Sequence, residues 1–147
     1  MGERRRAREL AVQVLFHLEF SPDDPSETFE LICENFDARQ SIRNFSRKLV
    51  LGVWEKKETL DEVISKASKN WRIDRMARLD RSILRLAAFE IMFVQDIPAK
   101  VSLDEAVEIG KKFGGEDSGR YINGVLDRIY NTMLKNDVSE NSTDNAF

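Results

Sequence analysis

Arg4, Arg5, Arg6 and Arg8 crowd into the run RRRAREL near the start of a chain whose formal net charge is −3. Guanidinium groups at that density bind phosphates and lie flat against rings, so their chemistry is recognition of a polyanion. Cations at the start of a helix also oppose its dipole, a local cost that asks for a functional reason. Helical placement at about 100° per residue sets Arg5, Val12 and Phe16 opposite an apolar stripe centred on Val14. A guanidinium and an aromatic ring on one face suit single-stranded RNA, whose phosphates attract arginine and whose unstacked bases lie on rings. A solvated helix start, with Val12 and Phe16 packed beneath a second group of helices, fits the same pattern. The residues alone leave both readings open.

No other group of residues offers chemistry. His17 is the only histidine and Cys33 the only cysteine, which removes a Cys/His zinc site and any intrachain disulfide. A lone cysteine in an apolar pattern reads as a small core residue and points to a reducing compartment. Glu116 and Asp117 at the start of a helix complement its positive end without any catalytic purpose. Glycines 110, 114, 115 and 119 resemble a phosphate loop only superficially, because no strand precedes them and the lysine and hydroxyl residue of a P-loop are missing. No catalytic residue, cofactor or metal is expected. Two non-enzymatic readings stand side by side: an RNA-binding protein, and a protein-only interaction module whose arginines meet acidic partners. Because the rest of the surface is mildly acidic, contact with nucleic acid should be local.

The elements that must position these arginines read as helices throughout. At 147 residues, 41% hydrophobic and 33% charged, the chain fits one soluble domain with no need of a staple. The longest apolar stretch, around Ile91–Val94, is too short to span a bilayer. The N-terminus shows no cleavage-site pattern, and the expected location is the cytoplasm. Apolar spacing predicts about seven helices and no strand, an all-α fold. The first helix ends near Phe20, before Pro22 and Pro25; the second runs from Ser26 to about Phe36. Two more fill Ala38 to Asn70, with a shift of stripe near Lys57. Asp74 is placed to cap a central helix that reaches Val94 with apolar residues nearly all round, in which Arg85 and Glu90 need partners or a route to water. Ser102 and Glu105 have capping-box spacing, and Gly114 suits a left-handed helix stop. In the last helix Gly124 offers room for another backbone. The expected division is a helical domain over 1–134 and a polar, disordered tail over 135–147.

Four ordered motifs resemble one family. RRRARELAVQVLF, LDRSILRLAAFEI, IPAKVSLDEAVEIGKKFG and EDSGRYINGVLDRI are similar to the NusB family of bacterial transcription antitermination factors, while the region from Pro22 to Lys69 matches only in helical pattern. The resemblance implies a non-enzymatic fold of two packed helical subbundles. It implies binding of boxA-type single-stranded RNA together with NusE, a ribosomal protein, within an RNA polymerase antitermination complex acting on ribosomal RNA operons. By matching position, Arg4, Arg5, Arg6 and Arg8 fall in the family's arginine-rich RNA-binding motif and Phe16 on its nearby aromatic. Arg120 and Tyr121 match a basic-aromatic pair near the RNA, and Asp117 a loop position that influences assembly. Asp80 and Arg81 are the matching candidates for contact with NusE. If the first and last helices lie side by side, these groups form one basic, aromatic-bearing surface, although Tyr121 fits the core equally well. Some members form homodimers through the RNA-binding side, and freestanding members differ from those fused to methyltransferases, a region this sequence does not contain.

Overall fold

The computed structural model describes residues 2–21, 23–36, 39–69 and 72–144, with side chains described as far as Lys135. Pro22, Ala38 and Asn70, named above as boundaries, and the last three residues of the expected tail lie outside the described residues. Seven α-helices and no strand are found among the described residues: α1 (Glu3–Phe20), α2 (Pro25–Cys33), α3 (Gln40–Glu55), α4 (Lys57–Ala67), α5 (Arg78–Phe93), α6 (Ala99–Gly114) and α7 (Glu116–Asp144), with a 3-10 turn at Ile73–Arg75. Helices α1, α2 and α3 pack on one another; α4, α6 and α7 gather around α5. Contacts of α1 and α3 with α5 join these two groups into one core, the two-subbundle arrangement.

Local chemistry sets most boundaries. Asp24 caps α2 by accepting hydrogen bonds from the amides of Ser26 and Glu27 at 2.8 and 3.1 Å, and Pro25 at the first helical position needs no amide partner. The helix therefore begins one residue before the expected Ser26. Between α3 and α4 the chain breaks at Lys56, beside the shift of stripe read at Lys57. Helix α5 is buried without interruption from Asp80 to Ile91, which makes it the centre of the bundle.

Several boundaries differ from expectation. Asp74 does not cap α5. Met76 and Ala77 are extended and Met76 is buried, so the chain bends before the helix begins, and the Asp74 carboxylate instead accepts from Arg72 at 3.3 Å. Ser102 and Glu105 form no capping box, because α6 already starts at Ala99 behind Pro98. The left-handed residue at its end is Gly115, with φ of 91°, one position later than Gly114. Close backbone approach occurs at Gly110, where an added Cβ would stand 2.6 Å from Ile122 Cδ1, and not at Gly124, which has nothing within 4 Å of such an atom. Helix α7 continues to Asp144, past the expected end at Leu134. A helix already anchored in a core gains one backbone hydrogen bond for each residue it adds, so a polar sequence suffices to extend it.

Helix α1 carries the largest correction. Ala7 to Val12 are six consecutive buried residues, because α2 and α3 cover one side of the helix and α5 the other. A single apolar stripe was therefore too narrow a reading, and Val12 packs inside.

Candidate nucleic-acid interface

The four arginines share one helix and separate into different environments. Arg8 is 3% exposed and its guanidinium grips Glu90 of α5, with Nε 3.0 and 2.9 Å from the two carboxylate oxygens and Nη2 2.7 Å from Oε1. Ser102 of α6 donates to the same Oε1 at 3.0 Å. Three helices thus meet at one buried carboxylate. Arg8 is thus largely buried and tied to the core, and it also reaches the floor of the cleft that Arg4 and Arg5 line. The carboxylate of Glu90, deep in an apolar helix, required such a partner.

Arg4 and Arg6 lie nearer the surface, Arg4 over the same Phe45 ring that the Arg8 guanidinium approaches at 5.8 Å. The Arg4 guanidinium lies 4.9 Å from the ring centre of Phe45, and Arg6 lies 4.5 Å from that of Phe36. Both arginines are exposed, and both rings are half-buried against the core. Each ring supports one face of a guanidinium, an arrangement compatible with stacking and with donation to an anion. Arg5 donates through Nε to Glu105 of α6, and the pair is 27% and 25% exposed. That hydrogen bond raises an already high guanidinium pKa. Arg4, Arg5 and Arg8 line a cleft of about 360 Å³ that Asp96, Pro98 and Glu105 close from the far side. Glu3 ties the start of α1 to α3, accepting from Arg39 at 3.1 Å and Ser41 at 3.3 Å.

The remaining expected residues lie elsewhere. Phe16 is 37% exposed, about 18 Å along the helix from Arg4 at 1.5 Å per residue. It meets Phe20 edge-on at 5.0 Å, and Arg78 lies 4.3 Å from the centre of the Phe20 ring. Asp117 and Arg120 are exposed and paired with each other. Tyr121 is half-buried, its hydroxyl enclosed without a hydrogen-bond partner among the described residues; burial and then the Asp80 charge push its phenol pKa up. The even choice between surface and core for Tyr121 thus ends between the two, with the polar end inside.

Helices α1 and α7 do not form the expected side-by-side surface, because α6 stands between them. On one flank α6 meets α1 through Glu105 with Arg5 and through Lys112 with Glu9 at 2.9 Å. On its other flank Gly110 brings α7 close at Gly119.

Asp80 and Arg81, the expected partner contacts, are 9% and 8% exposed. Arg81 donates to Glu19 at 3.1 and 2.5 Å and to the Ile73 carbonyl at 2.8 Å. Glu19 also receives Arg85, which holds Asp61 at 2.7 and 2.9 Å. Burial alone pushes the Glu19 carboxyl up, but the Arg81 hydrogen bond and the two guanidinium charges outweigh it and hold its pKa low. Asp80 has the opposite fate: burial raises its pKa against a hydrogen bond from Ser118, and Oδ1 has no partner. These two residues join helices and do not offer a flat contact surface. Arg85 and Glu90 did find the partners their burial called for. Cys33 is buried, with its thiol pushed up by burial, as a core residue should be.

Sequence reasoning did not single out Phe36, just past the end of α2, or Phe45 of α3. Their rings do reach the core, yet their outer faces carry the arginines. Only the spatial overlap of α1 with the ends of α2 and α3 reveals that second use.

The NusB family model matches residues 5–131. A transcription antitermination protein NusB of Pelotomaculum thermopropionicum is 46% identical over 142 residues, covering 92% of this chain and 99% of that protein. Among solved structures, NusB of T. maritima is 37% identical, with a TM-score of 0.80 over 87% of this chain and 90% of that one. A crystal structure of the antitermination factors NusB and NusE in complex with double-stranded RNA is 28% identical, with a TM-score of 0.81 over 88% and 97%. No helix among the described residues is long and apolar enough to cross a membrane. Identity at that level across nearly the whole of both chains, on the same helical fold, means that this chain belongs to the NusB family.

Proposed function

We propose that this protein is a non-enzymatic transcription antitermination factor of the cytoplasm that holds boxA-type single-stranded RNA together with NusE. The observation that carries this reading is the pair of exposed guanidinium groups, Arg4 and Arg6, set on the rings of Phe45 and Phe36. Preset in this way, they lose little freedom when they meet a phosphate or a base. Arg5 adds a third charge at the mouth of the cleft, while Arg8 holds α1 in place through Glu90. Asp117, Arg120 and Tyr121 make a second contact region at the start of α7, and Phe16 a separate one near the end of α1. Asp80 and Arg81 shape the helix junction next to it, so their part in NusE binding is to support the contact surface. Two exposed arginines and the half-buried Arg5 give few phosphate contacts, which makes RNA binding alone weak and binding with NusE tighter.

Fluorescence anisotropy of a labelled boxA RNA, titrated with this protein in the absence and presence of NusE, tests the reading. Scrambled and double-stranded RNA serve as competitors. Tighter binding with NusE, resisted poorly by both competitors, is the expected result. Absence of binding in every combination would replace the RNA factor with a protein-only module.

A further inference from the structure

Helices α4 and α7 leave a groove of about 690 Å³ between them. Val63, Ala67, Met92, Ile129 and Met133 make its apolar part. Lys66, Lys69, Arg128 and Lys135 line the same groove, and a smaller depression beside it shares Lys69 and Arg128. Among the described residues that line either depression there is no aspartate or glutamate. The cleft beside Arg4 and Arg5 contrasts with this, since Asp96 and Glu105 help to enclose it. In a chain of net charge −3, four cations around an unshielded apolar floor make a local field that selects an anionic partner.

The backbone adds an independent sign. Lys69 directly follows the end residue of α4, Ser68, and has φ of 59°, a left-handed conformation. Where a helix ends in a left-handed residue, glycine usually takes the position because a side chain there is strained. A lysine kept at this cost, at the point where both depressions meet, indicates a use for its ammonium group. Arg128 is oriented by donating to the Ala67 carbonyl at 2.9 Å, and Lys66 shares a surface pair with Glu62.

The floor decides between the anions. Strands of RNA need stacking faces, and among the described residues that line the larger groove there is no aromatic residue. Aliphatic side chains and two flexible methionines instead accept apolar anchors from a partner helix. We propose that the α4–α7 groove docks an acidic amphipathic helix of a protein partner, at a place that shares no lining residue with the cleft of Arg4 and Arg5. The protein then has one face for RNA and another for an acidic protein segment.

The probe is a designed helical peptide with leucines at i, i+3, i+4 and i+7 and glutamates on its flanks, labelled for anisotropy and titrated with the full chain. The variant Lys66→Glu/Lys135→Glu, which leaves the smaller depression beside Arg120 and Tyr121 untouched, should weaken the peptide about tenfold or more, from several surface charge pairs acting together. Its boxA RNA affinity should stay unchanged. Lys69→Gly provides a second measurement: it should raise the melting temperature by relieving the left-handed strain and still weaken the peptide. Absence of peptide binding, or peptide binding that ignores the charge reversal, would overturn the proposal. Loss of RNA binding in the double variant would also overturn it, by assigning the groove to nucleic acid.

Discussion

Arg6 and Arg8 stand two residues apart in one helix, and their surroundings use the same side chain in opposite ways. Arg8 is enclosed by α1, α5 and α6, where a guanidinium is tolerated only because Glu90 and Ser102 satisfy it. Arg6 rests on the Phe36 ring at the exposed edge of the bundle. The comparison teaches that a run of like charges is not one site. Helical rotation sends neighbouring residues to different faces, and depth then assigns each charge either to stability or to recognition.

The strongest way to break this comparison is to remove Glu90. Glu90→Ala leaves Arg8 buried without a counter-charge and should cost about 3–5 kcal/mol in urea unfolding. The double variant Arg8→Met/Glu90→Leu removes both charges and should recover most of that loss. If Glu90→Ala proves nearly neutral, Arg8 is not a core residue.

Glu19 gives the next effect, at the opposite end of α1. Glu19→Ala deprives Arg81 and Arg85 of their shared acceptor and should cost about 2 kcal/mol. The pH dependence follows from the lowered Glu19 pKa. Its contribution is present above the ordinary glutamate value of 4.5 and is lost as pH falls through the lower folded value. Denaturation midpoints of wild type and variant should therefore converge in acid.

Smaller still is Arg4→Ala/Arg6→Ala. Exposed cation–π contacts are worth about 0.5–1 kcal/mol each, so the fold should survive with at most a small shift in melting temperature. Removing these two side chains separates recognition from stability, the reverse of Glu90→Ala.

Asp80→Asn should have the smallest effect and the opposite sign. Burial raises the Asp80 pKa, so folding favours the protonated acid; that stability is complete below the unfolded value near 3.8 and is lost as pH rises through the folded value. The variant should therefore be slightly more stable than wild type at neutral pH, with the difference vanishing in acid.

The helices were legible because each buries apolar residues at helical spacing, and the central place of α5 followed from its lack of a polar face. The need of Arg85 and Glu90 for partners was legible too, since a charge in such a helix has no other solution. The partners themselves were not, because Asp61, Glu19 and Arg8 lie far from them in sequence. Capping signals misled where tertiary contacts claimed the same side chains. Ser102 and Glu105 have the spacing of a capping box, yet they are taken by Glu90 and Arg5. In the candidate site, the sequence marked the arginine run but could not divide it, because α1 is covered on two sides and one apolar stripe suggested one. Phe36 and Phe45 went unmarked for the same reason: apolar spacing sets a ring against the core and says nothing of what lies on its outer face.

The central claim is that Arg4 and Arg6 recognise RNA while Arg8 holds the fold. The most direct measurement is the salt dependence of boxA RNA binding, with NusE present, for wild type and Arg4→Ala/Arg6→Ala, beside circular dichroism of both. The account predicts unchanged helicity, weaker binding, and a log–log salt slope shallower by about 0.7 for each phosphate contact removed. Equal affinity and equal slope in the two proteins would contradict it.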